Sequence, residues 1–316
     1  MADLAVVIVT WNVRELALQA IKSLLFDVRF SGLKTDVYVI DSASSDGTVE
    51  AIAAAFPEVR LTASAENLGF GRANNLALRQ IGFGQADTAD LPRAVYLLNP
   101  DTITQPGATL ALYAALVALP RAGLVGAQLA YGDGSFQPGA FHFPGLRQLW
   151  VEFFPTPGRF IEGEFNGRYS RRLYQAGQPF PVDFTLGATM MLRREVIQQT
   201  GGFDEQFFMY CEEIDWAWRI HKAGWEVWCV PAARVTHLGG QSTAQVRPRS
   251  LINLWTSRLQ LFRKHYPAWK YALARRLIAA GMQRKMQQMR QVDTLDENAQ
   301  ALLDAYQTIY QMVQPV

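Results

Sequence analysis

The sequence has 316 residues, of which 49% are apolar, 12% aromatic and 18% charged. A chain of that length and composition can bury a sizeable core, which excludes global disorder, a collagen or coiled-coil rod and a small disulfide-stapled scaffold. Net charge is +2, yet residues 247–290 carry 11 Lys and Arg and no Asp or Glu, so a mildly acidic body over 1–246 precedes a basic extension over 247–316. Two cysteines, Cys211 and Cys229, make neither a disulfide framework nor a metal quartet. Asp3 stands where a signal peptide would be positive, and no run of eighteen apolar residues occurs, so the expectation is a cytoplasmic chain.

Leu4–Val9 reads as a buried strand, followed by a helix over about 14–26 with Leu16, Ala20, Ile21, Leu24 and Leu25 on one face. Val37–Ile40 is a second strand ending in the turn and cap residues Asp41-Ser-Ala-Ser-Ser-Asp46-Gly47-Thr48, then a helix to about Phe56. Strands over 59–62 and 94–98 flank a helix over 69–80, and the last of these strands stops at Asn99-Pro100-Asp101. From 136 to 180 the pattern loosens into Pro, Gly and aromatics, either a loop covering a substrate or a surface excursion. A strand-like 183–192, a helix from Arg194 to about Gly201, a helical 207–224 and a last strand over 226–231 follow, and after Arg247 the pattern is helical and basic. Alternating strands and helices predict an α/β fold with a mostly parallel, Rossmann-like central sheet flanked by helices, and a C-terminal helical appendage.

The polar clusters sit where strands end, the edge at which open parallel sheets bind ligands. Asp41, Asp46, Asn67, Asn74, Asn75 and Asp101, with glycines at 47, 69 and 71, supply oxygens for a base edge and a divalent cation, and backbone that approaches phosphate. Singly, each also serves as a cap or turn former. Competing sites lack their motifs. Thr10-Trp-Asn-Val-Arg-Glu follows the first strand instead of a dinucleotide glycine fingerprint, and the chain has no P-loop, nucleophile elbow or zincin pair. Glu212, Glu213 and Asp215 crowd into four positions between aromatics, a setting that tunes a carboxylate to act as a base; a solvated first turn, with Asp215 paired to Arg219, is the other reading. His237 stands beside two glycines that would let phosphate or metal approach.

The ordered set of Val6-Val-Ile-Val-Thr-Trp-Asn12, Asp41-Ser-Ala-Ser-Ser-Asp-Gly-Thr, Glu66-Asn-Leu-Gly-Phe-Gly-Arg-Ala-Asn-Asn, Leu98-Asn-Pro-Asp101, Leu186-Gly-Ala-Thr-Met-Met-Leu-Arg-Arg, Gly201-Gly-Phe-Asp-Glu, Glu212-Glu-Ile-Asp and His237-Leu-Gly-Gly resembles the family 2 glycosyltransferases, especially their rhamnosyltransferase-like branch. The resemblance runs from about Leu4 to Ser242. It implies a GT-A fold and an inverting displacement on a nucleotide-activated sugar, with dTDP-rhamnose a candidate donor. By the same resemblance Asp41 contacts the nucleobase with Thr10 and Asn12 nearby, while Asn67, Gly69, Arg72, Asn74 and Asn99 belong to the donor site. Asp101 matches the last carboxylate of the family's Asp-x-Asp metal motif, whose first position is Asn99 here, and His237 would meet the same Mg²⁺ or Mn²⁺. Glu213 stands where the family places its aspartate base, with Asp215 and Glu212 as alternatives.

The basic, aromatic-interleaved stretch 247–290 reads as a contact for an anionic membrane surface, which suits a glycan or lipid-linked acceptor and a peripheral place on the inner face of the plasma membrane. No nucleic-acid-binding motif accompanies it. The helices after Arg247 are also candidates for pairing subunits into a homodimer. A sugar-phosphate nucleotidyltransferase is the alternative enzyme class, but it would need a Gly-rich, Arg-containing loop after the first strand. A non-catalytic sugar-nucleotide binding module would leave Asp101 and Glu213 without a role.

Overall fold

The computed structural model describes residues 2–85, 90–239, 247–291 and 296–314. The expected boundary at residue 246 and the Gly240-Gln241-Ser242 end of the last motif fall outside them. The chain forms two compact units: Met1–Phe141, Tyr169–Phe208 and Glu212–Ser242 make the first, and His142–Arg168, Met209–Cys211 and Thr243–Val316 the second.

The first unit is a mixed sheet that begins as expected. Strands β1 (Leu4–Thr10), β2 (Thr35–Asp41), β3 (Arg60–Ala63) and β4 (Ala94–Leu98) run parallel in the order β3-β2-β1-β4. Between them lie helices α1 (Arg14–Arg29), α2 (Thr48–Ala55) and α3 (Gly69–Ile81). Every residue of β1 is buried, the mark of a strand covered on both faces. Leu4, Val6 and Ile8 join Ala17, Ile21 and Leu24 of α1 in the main core. Burying each such aliphatic side chain contributes about 1.5–3 kcal/mol before chain entropy is charged against it.

Residues 102–135 carry no pattern reading above; the structure adds β5 (Thr102–Thr104), helix α4 (Ala108–Ala118) and β6 (Ala122–Ala130) there. The sheet continues β4-β11-β6-β12-β5, where β11 (Thr189–Arg193) runs antiparallel to both neighbours and β12 (Glu226–His237) is parallel to β6. Two expectations need correction. The last strand does not stop at Pro231: its register against β6 shifts between Val230 and Arg234, a bulge that accommodates the proline, and pairing resumes to His237. The loose segment 136–180 is not a structureless loop, because it holds short strands β7 (Phe136–Gln137), β8 (Ala140–Phe141) and β9 (Phe180–Val182) and helices α5 (Leu146–Phe153), α6 (Gly158–Ile161) and α7 (Arg171–Gln175). Strand β10 (Phe184–Thr185) and helix α8 (Arg194–Thr200) flank β11.

The second unit is helical. Beside α5 it holds α10 (Arg247–His265), α11 (Ala268–Met289) and α12 (Glu297–Met312) around a separate core of Leu149, Phe153, Trp255, Phe262, Ile278, Met282 and Ile309. Gly281 sits in mid-helix because a Cβ there would overlap the Phe153 ring; close packing of α5 on α11 offsets the helix-propensity cost of about 1 kcal/mol. Part of the basic stretch is structural: Arg258 pairs with Glu152, and Arg275 Nε donates to Val313 O at 3.2 Å beyond the end of α12. No helix among the described residues is long and apolar enough to cross a membrane.

Candidate active site

The parallel register sets Thr10 opposite Asp41 and Ile8 opposite Leu98, so the ends of β1, β2 and β4 share one sheet edge. Asp41 is almost fully buried and held at both oxygens: Oδ2 accepts from Thr10 Oγ1 at 2.9 Å and Ser44 Oγ at 2.6 Å, and Oδ1 from Ser44 N at 2.9 Å. A carboxylate has about four acceptor sites, so one stays available to a donor group on a ligand. Ser44 Oγ also accepts from Asn12 N at 2.8 Å, and Asn12 Oδ1 from Ser45 N at 2.8 Å, which locks the two loops together. Asn12 (φ 50°) and Ala43 (φ 62°) hold the left-handed conformation; at an alanine this stores about 1–3 kcal/mol of strain, the kind found at ligand clamps. Asp46 knits the starts of two helices, accepting from Arg14 N at 3.0 Å and Thr48 N at 3.1 Å. Burial opposes its ionisation, but the bonds from Thr48 and Arg14 prevail and hold its carboxyl below the usual range.

At the start of α3, Asn67 Oδ1 accepts from Gly69 N at 2.9 Å. Gly69 has φ +69° and lies so near the Phe208 carbonyl that a Cβ would overlap it, so glycine is required. Arg72 stands half-exposed, paired with Glu66 at 3.0 Å, and Asn74 turns back onto its own helix, donating to Phe70 O at 2.9 Å. Asn75 braces α3 instead: its amide donates to Phe203 O and Glu205 Oε1 and accepts from Phe203 N at 2.9 Å.

Asn99, Asp101 and His237 meet where β5 pairs with the end of β12, His237 lying opposite Thr102. His237 Nε2 is 3.4 Å from Asp101 Oδ1, and Leu238 N donates to Asp101 O at 2.9 Å. Asn99 Oδ1, Asp101 Oδ1 and His237 Nδ1 are buried without a hydrogen-bond partner, as is Oε1 of Gln137, whose amide nitrogen neighbours the same glycine, Gly239, as His237. Orphaned oxygens and an imidazole nitrogen are costly to bury unless something is bound there, and they are the donor types that a hard divalent cation takes. Among the described residues no cluster of three or more His, Cys, Asp or Glu surrounds a point.

The turn Leu186-Gly187-Ala188 joins this corner to the acidic cluster. Ala188 O accepts from Asn99 N at 3.0 Å, while Glu213 Cβ and Cγ lie 3.7 Å from where a Cβ would stand on Gly187. Helix α9 (Glu212–Lys222) begins five residues later than the expected 207–224, because Tyr210 (φ 70°) and Cys211 (φ 66°) hold positive φ and break the helix before Glu212.

The three carboxylates then separate by helical geometry. Asp215 is 0% exposed and paired with Arg219, one turn on, at 2.9 Å; that guanidinium also donates to Thr200 O and Gly202 O at 2.6 and 2.8 Å. This ion pair is the other reading that the sequence offered for Asp215. Burial, and then the adjacent Glu213, push Glu212 well above the carboxylate range, and its Oε2 has no partner. Burial pushes Glu213 up to about 7 despite bonds from its own and the Ile214 backbone. A carboxyl that titrates near neutrality can both take up and hold a proton at working pH. The sequence reading gave no role to Ser44, Gln137 or Gly187, and gave Arg219 one only as the partner of Asp215. Only Arg219, one turn after Asp215, carried a signal.

Known proteins resemble this chain in sequence and fold. A family profile described as "Glycosyltransferase like family 2" matches residues 2–266. The N-acetylglucosaminyl-diphospho-decaprenol L-rhamnosyltransferase of Mycobacterium tuberculosis is 33% identical over 216 residues, 66% of this chain and 68% of that protein. The rhamnosyltransferase WbbL of Escherichia coli is 39% identical over 56 residues, 18% of this chain and 21% of that one. Two solved structures share the fold at low identity. A mannosyltransferase from Pyrobaculum calidifontis, in complex with GDP-Man and Mn²⁺, has a TM-score of 0.54 and 18% identity, with 99% of this chain and 84% of that chain covered. GalNAc-T7 with UDP, GalNAc and Mn²⁺ has a TM-score of 0.54 and 16% identity, and the match covers 75% of this chain but only 43% of that one. The central sheet is therefore of the GT-A type, and the chain belongs to the glycosyltransferase-like family 2.

Proposed function

We propose that this protein is an inverting, divalent-cation-dependent glycosyltransferase that moves a sugar from a nucleoside diphosphate to a hydroxyl of a lipid-linked glycan. The rhamnosyltransferase relatives favour rhamnose as the sugar, for which the sequence resemblance suggests a dTDP donor, and the mycobacterial relative favours a polyprenyl-diphosphate-linked acceptor. The observation that carries the reading is Glu213, a half-buried carboxyl that desolvation pushes up to about 7, joined through the 186–188 turn to the unpartnered oxygens of Asn99 and Asp101.

In this mechanism Asp41, fixed by Thr10 and Ser44, accepts a hydrogen bond from the nucleobase, and Asn12 shapes the pocket beside it. Gly69, at the start of α3, lets backbone approach the donor. Asn67, Arg72 and Asn74 act here by shaping and bracing that start rather than by direct reach, since their side chains are engaged locally. Asp101 and His237, with Asn99, would hold Mg²⁺ or Mn²⁺. The bound ion supplies positive charge against which the departing diphosphate develops its negative charge. Glu213, ionised, accepts the proton of the acceptor hydroxyl as its oxygen bonds to the anomeric carbon, while the bond to the diphosphate oxygen breaks on the opposite face and its electron pair leaves with the nucleotide. Burial and the adjacent Glu213 bias Glu212 toward its neutral form.

The second unit would bring the protein to its acceptor as a peripheral, cytoplasmic-face membrane protein. On α11, Trp269 (64% exposed) and Leu273 (39%) stand one turn apart with exposed Arg276 beyond them, the amphipathic pattern that seats in an anionic headgroup layer.

The donor reading is tested by thermal shift of the purified protein against dTDP, UDP, GDP and CDP, each with and without Mn²⁺. A ligand of the folded state at about 100 times its Kd stabilises by about 2.7 kcal/mol. The expected result is a Mn²⁺-dependent rise in Tm, largest with dTDP. No shift with any nucleotide in either condition would contradict the reading.

A further inference from the structure

The second unit contains a cavity lined by none of the residues placed at the sheet edge. It has a volume of about 440 Å³ and is lined by His142, Arg147, Gln148, Glu164 and Lys270, among others. Arg147 makes no ion pair among the described residues; its guanidinium lies 5.8 Å from the centroid of the Phe165 ring. Lys270 likewise meets no carboxylate. Its Nζ lies 3.5 Å from the centroid of the Tyr266 ring, and burial lowers its pKa, so the ammonium has lost hydration without gaining an anion. The walls are held in place: Gln148 Oε1 accepts from Gly145 N at 2.9 Å, Tyr266 OH donates to Pro144 O, and His142 N donates to Gly167 O at 2.8 Å.

Two cations that line one cavity and pair with no carboxylate among the described residues suit an anion that accepts several hydrogen bonds, and phosphate oxygens do so with both guanidinium and ammonium. Glu164 on the same wall has no use for a bare lipid phosphate, but it can accept from sugar hydroxyls. The volume exceeds what a lone phosphate fills and falls in the range of small-molecule sites. Lys270 also directly follows Trp269, the most exposed aromatic of the face assigned above to the membrane.

We infer that this cavity is an acceptor subsite, in which Arg147 and Lys270 bind the phosphate ester of a phosphorylated glycan and Glu164 binds its adjoining sugar. The inference rests on the proposed transferase reading and names its acceptor site. The shared chemistry is a phosphate ester, whose source is the acceptor's diphosphate or an anionic headgroup.

The test uses the full chain in EDTA, so that a cation cannot hold the probe at the donor site. Inorganic pyrophosphate is titrated calorimetrically into wild type and the Arg147→Gln/Lys270→Gln double variant, with circular dichroism and Tm confirming that the variant is folded. Saturable binding by wild type, weakened at least about tenfold in the variant, supports the subsite. Two further arms identify the source. A raised KM for a polyprenyl-diphosphate-linked glycan with an unchanged donor KM assigns the acceptor, whereas reduced flotation on phosphatidylglycerol vesicles with an unchanged acceptor KM assigns the headgroup and overturns the acceptor subsite. Absent pyrophosphate binding, or equal binding by both proteins, overturns the inference outright. A Mn²⁺-dependent shift with nucleoside diphosphate on the same wild-type protein separates that failure from failure of the transferase reading, in which no nucleotide binds either.

Discussion

Replacing Glu213 by Gln lowers transfer by about 10²–10⁴-fold while donor binding stays within a few-fold, because general-base assistance is lost and the amide keeps the shape of the carboxyl. The variant also carries a signature in stability. Burial raises Glu213 to about 7, above its value in the unfolded chain, so the folded state binds the extra proton between roughly pH 4.5 and 7. Stability from this group is therefore complete below that window and falls as pH rises through it. Wild type is weakened at pH 8 relative to pH 5, and Glu213→Gln removes that loss, gaining on the order of 1–2 kcal/mol at pH 8. Transfer by wild type moves the opposite way, rising as pH passes 7 and the base ionises. Steady-state rates and thermal melts across pH 5–9 read both slopes. Glu212→Gln separates the neighbours: it retains transfer within about tenfold, since Glu213 and not Glu212 lies beside the Gly187 turn that leads to Asn99. Loss of transfer in Glu212→Gln with retention in Glu213→Gln would reverse the assignment.

Asp101→Asn is expected to weaken nucleoside diphosphate binding in Mn²⁺ by roughly tenfold or more, because ligand charge sets the affinity of a hard cation and Asp101 is the one carboxylate of this corner. In EDTA the variant and wild type bind the nucleotide alike. Calorimetry in both buffers checks the difference, and equal affinities in Mn²⁺ would place the cation elsewhere. The substitution leaves two amides and an imidazole at the corner, so the fold survives it.

Most of the sheet edge that carries the proposed donor site was legible in the sequence as strands and turns, since those signals are local. β1, β2 and β4 are apolar runs that end in turn formers, and the parallel register carries Thr10, Asp41 and Asn99 to one edge once those strands pair. The rest depends on contacts that no window of sequence contains. Strand β6 hides behind Gly123 and Gly126, which read as breakers but are needed because Cβ atoms there would strike Val196, Trp225 and Thr185. Pro231 reads as a strand end, although a bulge carries β12 past it to deliver His237. Within Glu212-Glu-Ile-Asp the sequence offered three bases. Arg219 claims Asp215, and Gly187 leaves room beside Glu213, distinctions that appear only when α9 is packed against its neighbours. Asn74 and Arg72 matched the motif yet face their own helix and Glu66, whereas the unassigned Ser44 holds Asp41 and Asn12 together.

The measurement that bears most directly on the whole mechanism is the anomeric configuration of the product, read from the one-bond C–H coupling at the transferred sugar's anomeric carbon. A single displacement with Glu213 as base yields a linkage inverted relative to the donor, in Mn²⁺ and at pH 8, where Glu213 is ionised. Retention of the donor's configuration would contradict the account, for a single backside displacement inverts the anomeric carbon.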